Sequence, residues 1–94
     1  MQIRGLIWLA EIVEKIETKH HVKQNEVREV FNASPRFRFV EKGHRRGEDV
    51  YSASGQTEPG RYLIIFFVHK KDKRAIVLSV HEMDDAERRI HEKK

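Results

Sequence analysis

Six histidines and nineteen Lys and Arg side chains share a 94-residue chain that contains no cysteine. A few of them stand where acid–base chemistry beside an anion could be carried out. His20 follows Lys19 at the end of a helical pattern, where a cation offsets the carbonyl end of the helix dipole. His81 ends the last strand pattern, and histidine is the side chain that exchanges a proton near neutral pH. Arg61 follows Gly60 at the head of the longest apolar run, where a guanidinium could hold a phosphate by two parallel hydrogen bonds. Lys19, His20, Arg61 and His81 are therefore the catalytic candidates. Each also has a plainer reading: His20 as a dipole-offsetting residue, His81 as a solvated strand end, Arg61 as the surface partner of Glu58. A metal site is not expected, because cysteine is absent and His20 and His21 are adjacent, not one helical turn apart. Gly43 and Gly47 are too sparse for a phosphate-cradling loop, and no cofactor is expected.

The elements that must position these residues follow from periodicity. Leu9, Ile12, Val13 and Ile16 recur at helical spacing over about Ile7 to Thr18, with Glu11 and Lys15 as an outer i,i+4 pair. A second helix runs from about Lys23 to Phe31 on the stripe Val27, Val30, Phe31, and Pro35 excludes helical geometry at Ser34 beyond it. The period then becomes two. Phe37 and Phe39 share one face of a strand, Arg36 and Arg38 the other. A weaker strand, about Asp49 to Gly55, carries Val50 and Tyr51. Tyr62 to Val68, apolar on both faces, is the central strand, and Arg74 to His81 returns antiparallel to it. On that last strand His81 is expected to share a face with Ala75, Val77 and Ser79. Asp84 and Glu87 have the capping-box spacing that opens a final helix, with Met83, Ala86 and Ile90 as its inner face. The expected class is α+β: an antiparallel sheet of about four strands, two N-terminal helices, one C-terminal helix, and a short extra strand at Gln2 to Arg4.

Length and charge bound the rest. Ninety-four residues make a single domain, 1–94, with one compact core. No signal peptide is visible, and Tyr62 to Val68 is far below the ~20 apolar residues that span a bilayer. A soluble, cytoplasmic protein is expected. Of the net charge of +4, none resides in residues 1–35, which hold five basic and five acidic side chains; residues 36–94 hold fourteen and ten. The densest cluster is Arg36, Arg38, Lys42, Arg45 and Arg46, and clustered cations strengthen polyanion binding through counterion release. A solvated basic loop is the alternative.

The order of short motifs resembles the BrnT family of small ribonuclease toxins. Trp8 is followed by Lys19-His20-His21-Val22, where the family has Lys-His-Gly-Val. Gly60-Arg61 opens the apolar strand. Ser79-Val80-His81-Glu82-Met83 stands where the family has Ser-Ala-Arg-x-Met, followed by a helix rich in Glu and Arg. The resemblance spans nearly the whole chain. It implies a RelE-like fold and a toxin of a type II toxin–antitoxin system, an endoribonuclease that cleaves mRNA by metal-independent acid–base chemistry. It also implies RNA as partner together with a small antitoxin, commonly of ribbon-helix-helix type, covering the basic face. RNA contacts would fall on Arg36, Arg38, Lys42, Arg45, Arg46 and Arg88, and on Tyr51, which matches a family strand aromatic and has core packing as its other reading. Two departures bear on mechanism: His21 replaces the turn glycine, and His81 replaces a fixed arginine cation. The second leaves open a non-catalytic RNA- or ribosome-binding module on the same scaffold.

Overall fold

Leu9 is extended (φ −92°, ψ 132°), so the first helix begins only at Ala10 and frees the residues before it to form a strand. In the computed structural model, which describes residues 1–93, the order is β1 (Gly5–Ile7), α1 (Ala10–His20), α2 (Gln24–Asn32), β2 (Arg36–Glu41), β3 (Val50–Gln56), β4 (Tyr62–His69), β5 (Arg74–Glu82) and α3 (Asp85–Glu92). The strands form one sheet in the order β1-β5-β4-β3-β2. The α+β class holds, but the sheet differs from the expected antiparallel four. A fifth strand, β1, pairs parallel with β5 through Leu6 opposite Ala75 and Ile7 opposite Ile76, and it lies at Gly5–Ile7, not at Gln2 to Arg4. Leu6 and Ile7 are apolar in both helix and strand patterns. Strand pairing claims them because Leu9 caps the helix behind them.

One face of the sheet is covered by α1 and α2, and the core lies between. Ile16, Val22, Val27 and Val30 meet Ala53, Leu63, Ile65, Phe67, Ala75, Val77 and Val80, all buried. Phe67 is the hub, edge-on to Phe31 and Phe37 at 5.4 and 6.1 Å and stacked on Tyr51 at 6.2 Å. Such pairs add about 0.5–1.5 kcal/mol each beyond area burial. β4 is central, as its two-sided apolarity implies.

β5 departs from simple alternation. Phe66 pairs with Ser79 but Phe67 pairs with Val77, so Leu78 is an extra residue, a bulge. Ala75 and Val77 point into the core, and beyond the bulge it is Val80 that does so. His81 and Ser79 therefore face away from the helices, on the opposite side from Ala75 and Val77. The expected grouping of those four side chains is corrected by one inserted residue.

Between α1 and α2, His21 adopts the left-handed conformation (φ 54°, ψ 40°) and the Val22 amide closes back on the Ile16 carbonyl at 3.0 Å. The turn has the geometry that glycine takes most readily, and histidine holds it at a conformational cost of about 1–2 kcal/mol.

Candidate functional site

The face of the sheet turned away from α1 and α2 carries most of the residues with chemistry. The strand register lays two rows across it. One runs Arg36, Ser54, Ile64, His81; the next runs Arg38, Ser52, Phe66, Ser79. Among the described residues only α3 crosses this face. Its capping box forms as the spacing predicts: the Asp84 carboxylate accepts from the Glu87 amide at 2.7 Å, and the Asp84 amide donates to Glu87 Oε1 at 2.9 Å. That bond fixes the Glu87 side chain against the strand. Its other oxygen, Oε2, is 3.3 Å from His81 Nε2. His81 stacks on Phe66, with ring centroids 5.8 Å apart.

Beneath α3 lies a cleft of about 410 Å³, lined on the sheet side by Arg36, Arg38, Ser52, Ser54, Ile64 and Phe66 and on the helix side by Glu87, Ile90 and His91. The volume suits one nucleotide-sized ligand. His81 borders it, held between Glu87 and Phe66, two of its walls. Of the inner stripe expected on α3, Met83, Ala86 and Ile90, Ala86 is exposed and Ile90, though it lines the cleft, is 61% exposed; Glu87 and His91 are the half-buried residues of that face. The reason lies in the surface below, where arginines and serines accept a polar helix face.

His91 was not legible as a site residue; its i,i+4 spacing from Glu87 was the available signal. The His91 ring meets Tyr62 edge-on at 5.9 Å, and its Nδ1 is buried without a hydrogen-bond partner among the described residues. Burial, and after it the Arg36 guanidinium, holds this imidazole below the ordinary histidine pKa, with Glu92 opposing. Tyr62 anchors the end of the helix: its hydroxyl donates to Glu92 at 2.9 Å, and the Arg88 guanidinium lies 4.2 Å above its ring.

Arg61 is placed elsewhere and is heavily engaged. Gly60, at φ +100°, turns the chain in a conformation that favours glycine; the Thr57 amide donates to the Arg61 carbonyl and the Arg61 amide to the Thr57 hydroxyl, which close the turn. The guanidinium then reaches the helical side. Nη1 donates to the His21 carbonyl at 2.7 Å and to Glu26 at 3.0 Å; Nη2 donates to the His20 carbonyl at 2.8 Å and to Glu82 at 3.0 Å. Its partners are Glu26 and Glu82, not Glu58, whose amide donates to Glu29. Hydrogen bonding to Glu82 raises the Arg61 pKa further, with burial opposing and Glu26 adding. The same bond holds the Glu82 carboxyl below its usual range. Gly60-Arg61 thus acts as turn and staple, tying the end of α1 to the start of α2 and to β5.

The remaining candidates separate into three places. Lys19 and His20 end α1 on the helical side. His20 shares Arg61 with Glu82, whose side chain therefore points to that side, while His81 points to the other; the two candidate histidines do not meet. Tyr51 lies in the aromatic row Phe39, Tyr51, Phe67 on the core face. Lys42, Arg45 and Arg46 line a hollow of the exposed loop between β2 and β3, beyond the end of β2 opposite to Arg36. Among the described residues no three His, Asp or Glu side chains are grouped to hold a metal ion. No helix of the described residues is long and apolar enough to cross a membrane.

No protein-family model matches the chain, and no curated protein matches it in sequence.

Proposed function

We propose that this chain is an RNA-directed, metal-independent endoribonuclease, acting as the toxin of a type II toxin–antitoxin pair in the cytoplasm, with the cleft under α3 as its active site. One observation carries the reading: two arginines of an edge strand, Arg36 and Arg38, line the same small cleft as Glu87, whose carboxylate is hydrogen-bonded to His81 at the cleft's border. Guanidinium groups bind and neutralise a phosphodiester, and the histidine supplies the proton that the leaving 5′-oxygen needs. Glu87 accepts from His81 Nε2 and so fixes the ring; in the imidazolium form Nδ1 carries the proton to be given up. The floor of Ile64 and Phe66 offers an apolar surface for an unstacked base. The loop cations Lys42, Arg45 and Arg46 extend the positive surface along a strand of RNA. The resemblance to BrnT toxins in motif order points the same way. It brings with it a small antitoxin, of ribbon-helix-helix type, as the neutralising partner.

Strong expression of the chain alone should arrest growth and deplete mRNA, and His81→Ala should relieve both while His20→Ala does not. Transcript levels and growth curves check this. Normal growth with abundant folded wild-type protein favours the second reading, a non-catalytic RNA- or ribosome-binding module, for which the replacement of the family arginine by His81 is the specific observation.

A further inference from the structure

Cleavage of RNA without a metal needs two proton carriers, and the proposed site so far has one. A base must remove the 2′-hydroxyl proton while an acid protonates the 5′-oxygen. The second histidine named from the sequence, His20, lies on the far side of the sheet and cannot serve.

Resting on the ribonuclease reading, we infer that His91 is the general base of this site, taking the 2′-hydroxyl proton of a phosphodiester held by Arg36 and Arg38 while His81 serves the leaving oxygen.

The geometry favours this division. Glu87 and His91 are one turn apart on the same face of α3, about 6 Å along its axis, and both line the cleft. α3 crosses the sheet so that Glu87 meets β5 through His81, Tyr62 of β4 meets His91, and His91 faces Arg36 of β2. A phosphate between the arginines and the helix would therefore have one histidine towards each end. His91 Nδ1 is buried without a partner among the described residues, so Nε2 is the ring nitrogen that would meet the 2′-hydroxyl. The groups facing it are Arg36 from β2, Tyr62 from β4, and Glu87 and Glu92 from its own helix. Burial and Arg36 outweigh Glu92 and favour the neutral ring at neutral pH, the form a base requires.

The step balances without any further reactant. The 2′-O–H bond breaks as its proton passes to His91, and the 2′-oxygen forms a bond to phosphorus. The P–O5′ bond breaks, and the 5′-oxygen takes a proton from His81. The products are a 2′,3′-cyclic phosphate and a 5′-hydroxyl, with one histidine gaining the proton that the other loses.

The test is the pH dependence of single-turnover cleavage of a short single-stranded RNA by wild type, His91→Asn and His91→Gln, beside RNA affinity and thermal midpoint. A base must be unprotonated, so the wild-type rate should rise with pH through a limb below about 6.5, the ordinary histidine value. Both variants should lose that limb and roughly 10²–10⁴ in rate while affinity and midpoint hold. Two variants are used so that a folding defect in one leaves the other to report. A limb retained at near wild-type rate would overturn the assignment of His91 while leaving the ribonuclease reading in place. Wild-type protein that binds the RNA and never cleaves it would overturn both.

Discussion

Arg61→Ala should lower the unfolding free energy by about 2–4 kcal/mol, because four hydrogen-bonded acceptors lose one shared donor, and charge-assisted bonds contribute about 1.5–3 kcal/mol each before solvent exposure reduces them. The acceptors are the carbonyls of His20 and His21, which end α1, and the carboxylates of Glu26 and Glu82. Arg61 and Glu26 are little exposed, at 23% and 21% of their side chains, whereas Glu82 is 60% exposed, so the Glu26 arm and the carbonyls carry most of the effect. Arg61→Lys should recover only part of it, since an ammonium cannot fork to both helix ends. Urea unfolding measures the difference. It should narrow in acid: Glu82 has a depressed folded pKa, so its contribution is present above the ordinary carboxylate pKa and is lost as pH falls through the folded value. Unchanged stability with lost RNA affinity would instead make Arg61 the phosphate ligand that its position in the sequence suggested.

The second large effect is on binding. Arg36→Ala with Arg38→Ala should weaken affinity for single-stranded RNA roughly 100-fold or more, from two charge-assisted contacts of about 1.5–3 kcal/mol each. The slope of log affinity against log salt should flatten by about 1.4, or 0.7 per phosphate contact on a single strand. Arg38 is exposed and Arg36 half-buried on this edge strand, so stability should move by no more than about 1 kcal/mol. Arg45→Ala with Arg46→Ala, outside the cleft, should flatten the slope comparably yet spare the cleavage rate of bound RNA. Equal affinity before and after the Arg36 and Arg38 changes would remove the cleft as the RNA site.

Much of this arrangement was legible from local pattern. Alternation placed Phe37 and Arg36 on opposite faces of β2, two-sided apolarity placed β4 at the centre, and the spacing of Asp84 and Glu87 specified the cap of α3. What escaped the sequence depended on contacts made over long separations. The bulge at Leu78 turns Ser79 and His81 away from the face of Ala75 and Val77, and nothing in the residues from Arg74 to His81 marks it. β1 was hidden because Leu6 and Ile7 suit a helix start as well as a strand. Arg61 shows its role only once turns, helix ends and strand β5 are brought together from residues 20, 26 and 82. His91 was overlooked for a related reason: an apolar inner stripe was expected on α3, whereas the sheet beneath it presents arginine and serine and takes a histidine and a glutamate in return. His21 shows the opposite case, a histidine that adopts the left-handed turn geometry expected of glycine, so the turn survives the substitution.

We assign RNA cleavage to the cleft between α3 and the sheet face beneath it. This is tested most directly by incubating the purified chain with a single-stranded RNA and with DNA of the same sequence, in chelator, and resolving the products. The RNA should be cut to fragments ending in cyclic phosphate, the DNA should be bound but left whole for want of a 2′-hydroxyl, and His81→Ala should abolish the cutting without releasing the RNA. RNA that stays intact at every pH while bound by the wild-type protein would contradict the assignment.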